Sequence, residues 1–259
     1  MEKLKIVAIA FVYNEINFID YKRQWAEEQD IELYIIDNMS NDGTWEYLQE
    51  KGIPSHRFNT NSGFHLVSLQ QELIKTLHQI QPDWFVYHGC DTFYYTKNGL
   101  RNDIELANQQ GHDALGMMGI SIKNTGEVVP KNMSIFHVYQ HGEITRNFFQ
   151  VGKYTPTVKI HGDNIKCQNG KTLPMGVIIN YGMTKSAKDR EETLRRRKIA
   201  WRNGLRKDFG GHYQQASIKK WIWKKTELKN IAINNYGYVL EILKKYKQNN
   251  FLENKQNEY

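Results

Sequence analysis

Tyr34-Ile35-Ile36-Asp37-Asn38-Met39-Ser40-Asn41-Asp42-Gly43-Thr44 carries an apolar run directly into short polar residues closed by a glycine. Residues 32–36 read as a buried strand that ends at Asp37. Ser40 to Thr44 reads as a turn feeding a short helix through Trp45 and Leu48. Upstream, residues 5–12 form a continuous apolar run with β-branched side chains, the pattern of a strand covered on both faces. It runs into Tyr13-Asn14-Glu15, and residues 15–28 read as a helix with Ile16, Ile19 and Trp25 on its apolar side. Downstream, residues 56–58 suggest a short third strand. Residues 62–80 set Leu66, Leu69, Leu73, Leu77 and Ile80 at helical spacing. Residues 84–87 form a fourth strand entering Gly89-Cys90-Asp91. The alternation of strand and helix predicts an α/β fold with a mostly parallel sheet, right-handed crossovers and helices on both faces. Ligands of such sheets lie beyond the carboxyl ends of the strands. Three polar clusters fall there: Asn14-Glu15, Asp37-Asn38 and Asp91.

The rest of the chain is less regular. Residues 100–109 read as a helix, and residues 114–122, 133–139, 157–160 and 177–181 as strands. Ser186 caps a helix expected to reach about residue 205, with Asp189 in an approximate capping box. Further helices are expected over residues 214–228 and 236–246. These patterns divide the chain into a catalytic domain over 1–184, a basic helical extension over 185–248 and a polar, disordered tail over 249–259.

With 259 residues, 40% of them hydrophobic, the chain can bury a core without disulfide or metal support. Cys90 and Cys167 lack zinc-site spacing and read as free thiols of a reducing compartment. No apolar run reaches the roughly 18 residues of a membrane span, and no signal-peptide pattern opens the chain, so a cytoplasmic location is expected. The net charge of +7 is uneven. Residues 185–247 hold 18 Lys and Arg against 6 Asp and Glu, and the remainder 17 against 22. Such asymmetry suggests an anionic partner.

At the strand ends, carboxylates suit two tasks. One is to accept hydrogen bonds from a base or ribose, which Asp37 can do. The other is to hold a hard divalent cation against a pyrophosphate, which Asp91 can do. Either residue can instead simply open a turn, and Asp91 can cap the helix that follows.

Val7-Ala8-Ile9-Ala10-Phe11-Val12-Tyr13-Asn14-Glu15, followed by the 34–44 stretch, resembles the opening of glycosyltransferase family 2, in particular the branch reading NE and then DNxSxDGT. Gly89-Cys90-Asp91-Thr92-Phe93 is similar to the family's DADEF segment. Residues 153–161 and Asn180-Tyr181-Gly182-Met183-Thr184-Lys185-Ser186 resemble that branch's H…HYxxKS ending before a basic helix. The resemblance implies a GT-A type fold, a nucleotide-sugar donor, a divalent metal (manganese or magnesium) and inversion at the anomeric carbon. It puts Asp37 on the donor nucleotide, with Asn14, Glu15 and Asn38 beside it. It makes Asp91 the remaining metal-ligating aspartate and His161 a second ligand, with His88 as the other option. Three departures stand out: Gly89 replaces the motif's first aspartate, Thr92 its glutamate, and Asn180 the histidine of HY.

An inverting transferase needs a general base near the acceptor oxygen. Asp163 is the nearest candidate in sequence, with Asp113 and Glu143 as others. The acceptor class implied is a glycan, a lipid-linked sugar or a protein. In the basic segment, Arg195-Arg196-Arg197-Lys198 offers guanidinium groups to a donor pyrophosphate. Ser217-Ile218-Lys219-Lys220-Trp221-Ile222-Trp223-Lys224-Lys225 fits either peripheral contact with an anionic membrane at its inner face or a helix packing its tryptophans on the domain. Two rival readings are a sugar nucleotidyltransferase and a non-enzymatic basic binding module. The first lacks a glycine-rich phosphate loop after the first strand. The second has no nucleic-acid signature beside its charge, so no nucleic-acid partner is expected.

Overall fold

Alternating side chains of the first strand set up the cores on the two faces of the sheet. Ile6, Ala8, Ala10 and Val12 pack with Phe18, Ile19, Trp25, Leu48, Leu100 and Ile104. Val7 and Ile9 join Leu73, Leu77 and Phe85 on the opposite face. The period of two is what an extended strand imposes, and burial on both faces explains its continuous apolar run.

The computed structural model describes residues 3–60, 66–123, 137–140, 148–157, 160–161, 164–165, 171–183 and 187–202. Its elements run β1 (Ile6–Val12), α1 (Ile16–Glu28), β2 (Glu32–Asp37), α2 (Thr44–Glu50), β3 (Ser55–Arg57), α3 (Leu66–Ile80), β4 (Trp84–Gly89), β5 (Thr92–Thr96) and α4 (Leu100–Gln109). Then follow β6 (Ala114–Lys123), β7 (His137–Gln140), β8 (Phe148–Lys153), β9 (Ile160–His161), β10 (Asn164–Ile165), β11 (Lys171–Met183) and α5 (Ala187–Arg202). The main sheet has the order β3-β2-β1-β4-β8-β6-β11-β5, with β7 beside β6, while β9 and β10 form a separate pair. From β3 to β4 every pairing is parallel. Beyond β4 the directions mix: β8 is antiparallel to β4 and β6, β11 parallel to β6, and β5 antiparallel to β11. This is an open α/β sheet with α1, α2 and α4 on one face and α3 on the other.

Three strands, β5, β8 and β10, were not expected from the sequence. Asp91 leads not into a helix cap but into β5, all five of whose residues are buried. Trp25 of α1 clamps that strand: its indole N–H donates to the Tyr94 carbonyl at 2.9 Å, and its ring meets Phe93 edge-on with centroids 6.2 Å apart. The second unexpected strand, β8, fills the space between β4 and β6. The helices expected at 214–228 and 236–246, the tail after 249, and Cys167 lie outside the described residues. Cys90 is buried. Among the described residues no helix is long and apolar enough to cross a membrane.

Candidate functional site

Strand register brings the polar clusters to one edge. Val12 pairs with Asp37, and Phe11 pairs with Gly89. Because β1 lies between β2 and β4, Asp37 and Gly89 flank it at about 10 Å, two strand spacings apart. Asn14-Glu15, Asp37-Asn38 and Asp91 therefore share the carboxyl edge of the parallel strands.

The loops after β1 and β2 are laced to one another. Asn14 N–H donates to Ser40 Oγ at 2.9 Å, its side-chain amide donates to Asn41 Oδ1 at 3.0 Å, and Asn41 N–H returns a bond to Asn14 Oδ1 at 2.9 Å. Glu15, itself buried, donates its N–H to Thr44 Oγ1 at 3.0 Å. Asp42 caps two helices at once. Its Oδ2 accepts from Ile16 N–H at the start of α1 (3.2 Å), and its Oδ1 accepts from Thr44 N–H at the start of α2 (3.0 Å). Asn14 and Met39 hold positive φ, 54° and 61°, without being glycine. Left-handed backbone outside glycine is uncommon, and here it marks both loop entries at this edge. Asp42→Ala removes both caps and is expected to lower stability by about 2 kcal/mol, the sum of two ordinary cap losses, measurable as a drop in the urea midpoint.

Asp37 has no accessible surface. Both its oxygens accept from Ser40 N–H at 3.2 Å, and Oδ2 also accepts from Arg57 Nε at 3.0 Å. Arg57 Nη2 in turn donates to the Ser40 carbonyl at 2.6 Å, and its guanidinium lies 5.1 Å from the Trp45 ring centroid. The carboxylate thus organises the Met39-Ser40 loop from inside rather than presenting itself to solvent. Sequence reading passed over Arg57; its position beside the motif's first carboxylate becomes visible only through the parallel β2–β3 register, where Asp37 pairs with Arg57.

At the ends of β1 and β2, half-buried Tyr13 and buried Asn38 meet a residue from the basic segment. Arg196 of α5 lays its guanidinium carbon 3.3 Å from the Tyr13 ring centroid. With its amide turned so that the nitrogen faces the Phe58 carbonyl (3.0 Å) and Thr60 Oγ1 (3.3 Å), the Asn38 oxygen can accept from Arg196 Nη2 at 3.2 Å. Burial pulls the pKa of Arg196 below the ordinary arginine value. Its neighbour Arg195 is paired within the helix to Glu192, at 2.6 and 2.7 Å.

Asp91 is half-buried in the two-residue turn between β4 and β5 and accepts from Thr92 Oγ1 at 3.2 Å. A Cβ on Gly89 would stand 2.9 Å from Asp91 Oδ1. The glycine that replaces the motif's first aspartate thus leaves the room that the remaining carboxylate occupies. Beneath this turn lies Lys22 of α1, only 2% exposed. Its ammonium donates to the Thr92 carbonyl and sits 4.2 Å from the Trp25 ring centroid. Desolvation depresses its pKa to about 8, and the neighbouring Cys90 and Asp91 oppose that shift. Sequence reading passed over Lys22, although a lysine between Ile19 and Trp25 on the apolar side of the helix is a signal that could have found it.

Among the described residues no group of three or more His, Cys, Asp and Glu side chains could hold a metal ion. Asp91 is thus the single described carboxylate of the expected metal motif at this turn. The position of His88 is on β4, opposite Ala10, and that of His161 is in β9, opposite Asn164 in the separate two-stranded sheet. Asp163 and Glu143 lie outside the described residues. Asp113 precedes β6, and its carbonyl accepts from Lys153 N–H at 2.8 Å.

Comparison with protein-family models and with curated proteins gives no match. Among solved structures, TarS of S. aureus in complex with UDP-GlcNAc is similar at 20% identity and a TM-score of 0.37, over 49% of this chain and 37% of that one. The S. aureus TarS structure with UDP gives 20% identity and a TM-score of 0.38, over 49% of this chain and 38% of that one. In both, the matched part is well under half of the TarS chain.

Proposed function

We propose that this chain is a glycosyltransferase that takes a sugar from a nucleoside-diphosphate sugar. The observation that carries the reading is the convergence of Tyr13, Asn38 and Asp91 at the carboxyl edge of β1, β2 and β4, where an open parallel sheet binds its ligands. The sequence resemblance to glycosyltransferase family 2 supports it from a separate direction. In this reading the base lies near Tyr13 and Asn38. Asn14 and Glu15 shape that floor through their bonds to the second loop, and Asp37 acts as a positioning residue through Ser40 and Arg57. Asp91 faces the diphosphate end.

One carboxylate fits a particular mode of metal binding. Magnesium is commonly held by one or two carboxylates plus the phosphates of its substrate, with water completing the shell. Asp91 would hold such a cation, or manganese, once the donor brings its phosphates. The cation's chemistry would be to neutralise charge on the diphosphate leaving group. His161 is the proposed additional ligand. The finer proposal is inverting transfer with Asp163 as general base, to a glycan, lipid-linked or protein acceptor, at a cytoplasmic site on an anionic membrane face. It also treats residues 1–184 as the catalytic domain, with the basic helices as its extension.

The test is thermal unfolding with UDP- and GDP-sugars, with and without manganese. A ligand at one hundred times its Kd stabilises by about 2.7 kcal/mol, a shift of a few degrees. Asp91→Ala is expected to abolish the manganese-dependent part of that shift. Gly89→Ala, which closes the space now holding the Asp91 carboxylate, should weaken it while leaving the unliganded midpoint nearly unchanged. A wild-type protein unmoved by every nucleotide sugar would overturn the assignment.

A further inference from the structure

We propose that Arg196 selects diphosphate-bearing ligands: it rests on the Tyr13 ring where a base would stack, and it yields that place only to a ligand whose phosphates rebind its guanidinium. The inference deepens the nucleotide-sugar reading above and rests on it.

Four observations converge. First, the Arg196 guanidinium carbon is 3.3 Å from the Tyr13 ring centroid, a spacing at which a planar group covers the ring face. Second, the same guanidinium lies 3.2 Å from the Asn38 side-chain amide, which meets it with its oxygen once turned, so it covers both the aromatic face and the amide at the ends of β1 and β2. Third, it sits there half-buried, and among the described residues no carboxylate forms an ion pair with it, whereas Arg195 beside it is held by Glu192 through two bonds. A desolvated guanidinium without a paired anion is receptive to one, and phosphate oxygens match its fork.

Fourth, the other cationic or dipolar groups described at this edge are already engaged. The first amide of α1, Ile16 N–H, is capped by the Asp42 carboxylate, which puts negative charge where a helix N-terminus would otherwise attract phosphate. Arg57 is bonded to Asp37 and to the Ser40 carbonyl. Lys22 is buried under β5 with its ammonium on the Thr92 carbonyl. Arg196 is the remaining described cation at the ends of β1 and β2.

A base that enters must displace the guanidinium from Tyr13 and from Asn38. A nucleoside offers no anion in exchange. A nucleoside diphosphate does, and the displaced side chain can swing from the ring to the phosphates without leaving the cleft. Discrimination between the two ligands is the signature of this arrangement.

The experiment is calorimetric titration of the full chain with uridine, UMP and UDP, and with guanosine, GMP and GDP. Wild type, Arg196→Ala and Arg196→Gln are compared, the glutamine keeping a planar, hydrogen-bonding group without charge. For whichever base binds, both variants should lose about thirtyfold or more in affinity for the diphosphate, roughly the weight of a charge-assisted bidentate pair. Nucleoside affinity should hold or rise severalfold in Arg196→Ala. Diphosphate affinity within twofold of wild type in both variants would overturn the inference alone, as would equal losses for nucleoside and diphosphate, the mark of a merely structural role. A wild type that binds none of the six ligands would overturn both this inference and the function beneath it.

Discussion

Replacing Asp37 with alanine is expected to lower stability by about 3 kcal/mol, because a buried anion is withdrawn from partners that cannot all reach water. The carboxylate is fully inaccessible and takes the Ser40 N–H on both oxygens and Arg57 Nε on one. Ser40 is itself buried, so its N–H would lose its acceptor inside the protein. The Arg57 side chain is 33% exposed and can recover some hydration, which keeps the loss below that of a fully buried pair. Damage should spread to the first loop, since Ser40 Oγ receives the Asn14 N–H. Asp37→Asn preserves shape and most acceptors but loses the charge, and should fall between alanine and wild type. Urea unfolding measures both. A change under about 0.5 kcal/mol for alanine, the range of an ordinary surface substitution, would mean the carboxylate is not what holds this loop.

The same residue shows where sequence reading stops. The strand ending at Asp37, the turn Ser40 to Thr44 and the strand over β1 were legible because each has a local pattern: continuous apolar residues, then short polar ones and a glycine. Gly43 bears out the turn reading, with φ of 94° at the start of α2. The helix at Leu100–Gln109 was legible to the residue. What the pattern could not reveal was direction. Asn14 read as a ligand-binding group, and Asn41 and Asp42 as part of a turn; only the folded loops show Asn14 and Asn41 reciprocally bonded and Asp42 bonded to Ile16 and Thr44.

The strands passed over have a different cause. β5 finds its antiparallel partner more than eighty residues away, where Thr92 meets Asn180, and nothing local marks that pairing. β8 carries a glycine, Gly152, and is short, yet it is held on both edges by β4 and β6. Tertiary context decides strands of this kind. The contact of Arg196 with Tyr13 spans more than twice that distance along the chain. An arginine-rich run invites a phosphate reading, but composition cannot tell which of three arginines faces the sheet.

Lys22 should make stability rise with pH across an unusual window. Its folded pKa is about 8, against 10.5 for the free side chain. Between those values the unfolded chain holds a proton that the folded chain has released, so unfolding becomes less favourable as pH rises. Below about pH 8 both states carry the charge, and its burial cost is present in full. At 1.36 kcal/mol per pKa unit, the relief through pH 10.5 is about 3 kcal/mol. Tyrosines and other lysines titrate nearby, so the readout is the difference between wild type and Lys22→Met at each pH. That difference should be flat below pH 8, then move in favour of wild type and level off near 10.5. The bond to the Thr92 carbonyl and the Trp25 ring moderate the cost of the buried charge, but they do not change the sign. A difference that stays constant from pH 7 to 10.5 would rule out a depressed pKa. Asp91 favours the charged lysine, so Asp91→Asn should lower the Lys22 pKa further and extend the lower edge of the window to lower pH. The buried ammonium and the turn that carries Asp91 would then be coupled through charge, with no shared hydrogen bond required.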